Sequence, residues 1–259
     1  MTRVFDIFEF IDGFAPFDSA MDFDNVGILV GNEQAPVDRC LLALDVTLDV
    51  INEAKSLGAS LIVSHHPVIF EAIRALRHNS IPHGLARNEI SVICAHTNLD
   101  MSPFGVNSCL AEAISLRDLT ALANYESKIG PRPEGLIGVL ENICNCHEFA
   151  ALVKDRLGCA GLQYTPTDRG IRRVAICSGA GGSLIGTAIS EGVDAFVTGE
   201  IKHHEILIAL QHGICVVDAG HFKTEDVVIL PLAKKLSENF DGVEFIKSKT
   251  CTDPMKYLV

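Results

Sequence analysis

Residues 58–67 read Gly58-Ala59-Ser60-Leu61-Ile62-Val63-Ser64-His65-His66-Pro67. Leu61 to Val63 is a short apolar run bounded by turn residues, which fits a buried strand. Pro67 prevents that strand from continuing in a sheet, so the two histidines stand at its carboxyl end. Upstream, Leu48 to Leu57 reads as a helix with Gly58 at its C-cap, and Cys40-Leu41-Leu42-Ala43-Leu44-Asp45 reads as another buried strand. Strands alternating with helices predict an α/β fold with mostly parallel strands. In open sheets of that kind, ligands bind at the carboxyl ends of the strands.

The pattern returns in the second half. Residues 41–64 lie against 175–198 without a gap, placing Gly58 on Gly192 and Ser64 on Thr198. Both stretches read strand, small polar turn, helix, glycine, strand, hydroxyl residue. A further strand then ends in histidine in each case: Val92-Ile93-Cys94-Ala95-His96, and Cys215-Val216-Val217-Asp218-Ala219-Gly220-His221. Two similar α/β domains account for this better than one continuous sheet; duplication is one reading of the match, and the general likeness of any two βαβ units is the other. The join is expected near Leu122 to Ile129, where periodicity weakens before Gly130-Pro131-Arg132-Pro133. That gives domains at 1–122 and 123–259. Val4, Ile7, Phe8 and Ile11 open the first with an amphipathic helix, and Ile28-Leu29-Val30 adds a short strand.

Composition narrows the function. The chain has 259 residues, 48% of them hydrophobic and 21% charged, which supports a large core and excludes disorder. Lys and Arg number 21 against 33 Asp and Glu, a net charge of −12. A surface that negative disfavours nucleic acid or an anionic membrane as partner and favours cations. No apolar run is long enough for a membrane span, and Asp6, Glu9 and Asp12 interrupt any signal peptide. Nine scattered cysteines do not read as a disulfide framework. A soluble, cytoplasmic protein is expected.

Histidine-carboxylate clusters carry the chemistry. His65 and His66 leave a strand in diverging directions, which suits two neighbouring ions better than one. His96 to Asp100 and His221 to Glu225 each set a carboxylate four residues beyond a histidine at a strand end. If the chain turns helical there, each pair lies on one face and can converge on one centre. Any one of these histidines could be an ordinary packed side chain; three such clusters at three strand ends point to metal. Imidazole with carboxylate and no thiolate suits Zn, Mn, Fe, Ni or Co.

Phe23-Asp24-Asn25-Val26-Gly27, Ser64-His65-His66-Pro67, His96 to Asp100, Thr198-Gly199-Glu200-Ile201-Lys202-His203-His204 and Gly220-His221-Phe222-Lys223-Thr224-Glu225 occur in that order. On these motifs the chain resembles the NGG-interacting-factor-three family, whose bacterial members are often labelled GTP cyclohydrolase type 2 homologs. It departs from the family's usual Trp at Phe23, Asp at Glu200 and Tyr at His203, and it resembles the short form without a large inserted domain. The resemblance implies two divalent metal ions held by His65, His66, Asp100, His221 and Glu225, in the cleft between two similar domains, and self-association into a homohexamer ring. It implies a dinuclear metal-dependent hydrolase of a small nucleotide-like substrate, with ring opening of the GTP cyclohydrolase type by a metal-bound hydroxide. A phosphoesterase using the same metals, or a non-catalytic metal-binding scaffold or regulatory protein, is the alternative. Glu225 is the expected bridge, because a carboxylate offers two oxygens. His96 and His204 resemble groups around the ligands or facing substrate, His96 orienting Asp100, and Glu200 or His204 could shuttle a proton.

Two other segments are candidates. Ser178-Gly179-Ala180-Gly181-Gly182-Ser183 lies between a strand and a helix, where free N–H groups could hold phosphate. It reads equally as a tight turn that needs glycine, and it lacks the Gly-Lys-Ser/Thr of a Walker motif. Cys144-Asn145-Cys146-His147 lacks a second pair at zinc-finger spacing and reads as a helix start.

Overall fold

The computed structural model describes residues 1–258. In chain order its elements are α1 (Val4–Phe14), β1 (Gly27–Val30), β2 (Arg39–Ala43), α2 (Leu48–Leu57), β3 (Leu61–Ser64), α3 (Ile81–Arg87), β4 (Ser91–Cys94), α4 (Thr97–Asp100), α5 (Val106–Ala113), β5 (Arg117–Ser127), β6 (Gly130–Cys144), α6 (Cys146–Leu157), β7 (Gln163–Tyr164), β8 (Ile171–Cys177), α7 (Ile185–Ser190), β9 (Ala195–Thr198), α8 (His203–His212), β10 (Cys215–Asp218), α9 (His221–Glu225), α10 (Ile229–Ser237) and β11 (Glu244–Lys247). They form two compact α/β units. The first takes residues 1–99, 127–130 and 229–252; the second takes 100–126, 131–228 and the chain from Asp253 onward.

The first unit carries a five-stranded sheet in the order β1-β4-β3-β2-β11. β2, β3 and β4 run parallel, and β1 closes one edge antiparallel to β4. Every residue of β3 and β4 is buried, as expected for parallel strands covered on both faces. α1 buries Val4, Ile7 and Ile11. α2 is capped by Thr47, whose hydroxyl accepts from the Val50 N–H, and ends at Gly58 in the left-handed conformation that only glycine adopts without strain.

The second unit carries a six-stranded sheet in the order β5-β6-β8-β9-β10-β7. β8, β9 and β10 are parallel, and β7 closes the edge antiparallel to β10. Alternate residues enter two cores: Val174, Ile176, Val197 and Val217 pack with Phe149 on one face, and Ala175, Phe196 and Val216 pack with Ile185 on the other.

The two frameworks share one register. Leu41 sits opposite Ile62 in the first unit, and the ungapped match carries that pair onto Ala175 opposite Phe196 in the second. The sheets differ on the far side of the leading strand, where β11 pairs parallel with β2 and β6 pairs antiparallel with β8.

The units are not the two contiguous halves 1–122 and 123–259: residues 100–126 go with the second unit, and 127–130 and 229–252 go with the first. Residues 122–127 end β5, an edge strand exposed along much of its length, so the apolar alternation fades there. β11 pairs with β2 through Phe245 opposite Cys40 and Ile246 opposite Leu41, which returns the C-terminal segment to the first unit. Among the described residues no helix is long and apolar enough to cross a membrane.

Candidate metal centre

In the first unit the parallel ladder extends past β3. His65 N–H donates to Ala43 O and His66 N–H to Leu44 O, so adjacent backbone fixes both residues. Each ring is then oriented through Nδ1. His65 Nδ1 lies 2.9 Å from Ala95 O, His66 Nδ1 lies 2.8 Å from Asp45 Oδ1, and His96 Nδ1 lies 2.9 Å from Asp24 Oδ1. Asp24 also accepts from Thr97 N–H at 3.0 Å and Thr97 Oγ1 at 2.6 Å. Burial alone would raise the Asp24 carboxyl; the hydrogen bond and charge of His96, with Thr97, outweigh it and hold it at about 2.

A carbonyl or carboxylate at Nδ1 places the proton there and leaves Nε2 as the lone-pair atom. The three rings gather accordingly. His65 and His66, and His65 and His96, have centroids 5.0 Å apart, and His66 and His96 are 5.4 Å apart. One ligand atom from each lies within 4.8 Å of the others. His65 is buried within this group.

In the second unit, His221 opens α9 and Glu225 follows one turn later. Nε2 of His221 is 3.0 Å from Oε2 of Glu225, and its Nδ1 is 2.7 Å from Oε1 of Glu200. Glu225 is buried and Glu200 is exposed. The helical turn expected after His221 is present, and it brings the i, i+4 pair together. Asp100 closes α4; its charge, with those of Glu134 and Glu225, acts on Cys177, whose thiol is pushed up first by burial and then by these carboxylates. The imidazole and carboxylate of His221 and Glu225, like the three imidazoles of the first unit, are donors of the type that borderline metals take.

The glycine loop after β8 packs against the His221 and Glu225 pair. Ser178 N–H donates to Asn107 Oδ1 at 2.9 Å, Gly179 N–H to Thr224 Oγ1 at 3.1 Å and Gly181 N–H to Thr198 Oγ1 at 3.1 Å. Those three donors are taken within the protein and are not offered to a phosphate. Gly179 has φ +57°, and a Cβ there would overlap the Glu225 carboxylate and come within 3.2 Å of His221 Nε2. At Gly199 a Cβ would lie 2.6 Å from Thr224 Oγ1 and 2.7 Å from His221 Cα. Small residues are what let α9 settle here.

Other candidates fall elsewhere. His204 is exposed in the first turn of α8, and among the described residues no hydrogen bond joins it to His221 or Glu225. His96 is held by Asp24 and joins the histidine group. Asn145 caps α6, with reciprocal hydrogen bonds of 2.9 Å to Glu148, so Cys144 to His147 is a helix start. The residue reading missed the role of Asp24 and Asp45. Asp45 had one usable signal, its place at the end of an apolar strand.

Paired α/β frameworks with histidine and carboxylate clusters at their strand ends define a class of candidate metalloprotein, and comparison with known proteins makes it specific. The family model Duf34/NIF3 (NGG1p interacting factor 3) matches residues 2–254, and the chain belongs to that family. A GTP cyclohydrolase 1 type 2 homolog of Clostridium perfringens is 32% identical, with 98% of each chain covered. A Staphylococcus aureus protein of the same name is 27% identical, covering 99% of this chain and all of that one. That alignment spans 367 residues, so the relative holds a stretch this chain lacks. A hypothetical protein of Staphylococcus aureus superimposes with TM-score 0.91 at 30% identity over 99% of both chains. Reduced HcgD from Methanocaldococcus jannaschii gives 0.80 at 29% identity over 96% of this chain and 98% of that one.

Proposed function

We propose that this chain is a dinuclear metal-dependent hydrolase acting in the cytoplasm on a small nucleotide-like substrate. His65 and His66 from the first unit, with Asp100, His221 and Glu225 from the second, hold two divalent ions in this reading. The observation that carries it is the orientation of the histidine rings: three Nδ1 atoms are engaged by Ala95 O, Asp45 and Asp24, and one candidate ligand atom from each ring lies within 4.8 Å of the others. Packed histidines have no need of such agreement, whereas metal-ligating ones require a free nitrogen and an oriented ring.

Bound divalent ions supply acidified water and a counter-charge for a developing oxyanion. The protein's own groups position and move protons. Asp24 and Asp45 hold the His96 and His66 rings. Glu200 holds His221 through Nδ1 and, being exposed, can exchange a proton with solvent; His204 is a further proton-carrying group in this reading. The names of the relatives favour GTP-type ring opening as the first reaction to test. A homohexamer ring is proposed for the assembly.

The experiment is hydrolysis of a panel of GTP, other nucleotides and phosphoesters by protein loaded with Zn or Mn, alongside a His65→Ala/His221→Ala variant. Turnover by the parent and none by the variant supports the reading. No turnover on any substrate, with unfolding when metal is removed, assigns the chain a scaffold role instead.

A further inference from the structure

Between β3 and α3 the chain runs from His65 to Ser80 without helix or strand, and residues 70–79 are all exposed. A loop this long inside a compact unit is uncommon and usually functional. It begins at the histidine pair, yet it carries the large apolar side chains Phe70, Ile73 and Leu76 in solvent. Phe70 is 52% exposed and faces Phe23, itself 63% exposed, with ring centroids 6.3 Å apart.

The two rings are tied to the histidine group through residues 23–25. Asn25 Nδ2 donates to Ile69 O at 2.6 Å, tying the loop to residues 23–25. Asp24, between Phe23 and Asn25, holds His96 and Thr97. Charge adds a third observation. Between Glu71 and Glu89 the chain carries Arg74, Arg77, His78, His83 and Arg87 and no further carboxylate, in a chain of net charge −12. Exposed aromatic rings next to a polar site mark a ligand surface. Phenyl rings take a planar aromatic ring in stacked or edge contact, and arginines take phosphate.

We infer that Phe23 and Phe70 are the platform for the ring of an aromatic, anionic ligand of the nucleotide type, with Arg74 and Arg77 receiving its phosphates. Identifying that ligand with the substrate rests on the hydrolase reading above; the binding itself does not.

The test is calorimetric titration of the whole chain, as purified and again after metal removal, with GTP, guanosine and inorganic tripolyphosphate. Phe23→Ala/Phe70→Ala is expected to raise the Kd for GTP and guanosine about tenfold and to leave tripolyphosphate unchanged. Phe23→Trp in the parent keeps guanosine binding, because the stacking surface is retained. Arg74→Ala/Arg77→Ala weakens GTP and tripolyphosphate but not guanosine. The inference is overturned if the parent binds none of the three probes, or if the double phenylalanine variant binds GTP and guanosine as the parent does. It is overturned equally if that variant changes only the mass of the assembly in sedimentation, which assigns the rings to self-association. Absence of turnover or of metal sinks the hydrolase reading and leaves these binding arms readable.

Discussion

At the strand ends where the first unit places Asp45, His65, His66 and His96, the matching register of the second unit places Gly179, Gly199, Glu200 and Gly220. The helix after the third parallel strand starts at matching positions too, Thr97 and His221. One framework therefore presents candidate ligands in two ways. The first unit projects imidazoles from the strand ends and braces them with Asp24, Asp45 and a backbone carbonyl. The second clears the strand ends with glycine, so that the helix can settle on them and deliver His221 and Glu225 itself. The parallel frameworks match in register, and the residues at four loop positions set which element carries the candidate ligands.

Filling a cleared position should break the second solution first. Gly199→Ala sets a Cβ against the His221 backbone and Gly179 O, which sits 2.9 Å away, and backbone atoms cannot yield as a side-chain tip can. Thermal and urea unfolding should show a loss of about 3 kcal/mol. Unchanged stability would mean that α9 is not seated by these glycines.

The brace of the first unit is the next target. Asp24→Asn removes the charge and one of the two acceptor oxygens that between them serve His96 Nδ1, Thr97 N–H and Thr97 Oγ1. A loss of about 2 kcal/mol is expected, read by denaturant titration at neutral pH. The pH dependence has a definite sign. The folded carboxyl is held at about 2, below its ordinary 3.8, so its contribution is complete above about 4 and is lost as pH falls toward 2. The variant should lack this segment of the acid limb.

Exchanging the two solutions sharpens the comparison. Asp45→Gly gives the first unit the second unit's residue and removes the Nδ1 partner of His66; Glu200→Gln weakens the corresponding partner of His221. Each should reduce metal affinity about tenfold to a hundredfold with little effect on folding, measured by competition with a chromogenic chelator. Equal affinity in both variants would show that ring orientation is not what these carboxylates provide.

The smallest effect concerns a feature of the first unit alone. Glu53 accepts from Ser248 Oγ, Lys249 N–H, Thr250 N–H and Thr250 Oγ1, and so holds the segment after β11. Its counterpart in the aligned register is Thr187. Burial opposes ionisation of Glu53, but these hydrogen bonds outweigh it and depress the carboxyl. Glu53→Gln should cost about 1 kcal/mol and raise amide exchange at 248–251 while the second unit is unaffected. In the parent the same loosening should appear only as pH falls below the ordinary glutamate range.

Much of this was legible in the chain. The apolar run before His65-His66-Pro67, the capping glycine at 58 and the ungapped match of 41–64 with 175–198 are local signals, and the elements form where those signals lie. His221 and Glu225 were readable because one helical turn fixes their approach. Partnerships across long separations were not. Asp45 and Asp24 meet histidines 21 and 72 residues away, and spacing along the chain does not announce such a meeting. The loop at 178–183 was ambiguous for the same reason, since three of its N–H groups are claimed by Asn107, Thr198 and Thr224 from three distant elements. The return of β11 to the first sheet was hidden because a four-residue strand carries little pattern, and its neighbour is chosen by the tertiary structure.

The most direct measurement is metal content per chain by inductively coupled plasma mass spectrometry, on untagged protein purified without chelator. If both units supply ligands to one metal pair, the parent should hold about two ions per chain, and the His65→Ala/His221→Ala variant should hold essentially none. Well under one ion in the parent, unchanged after soaking in Zn or Mn, would contradict the account, as would a double variant that keeps its metal.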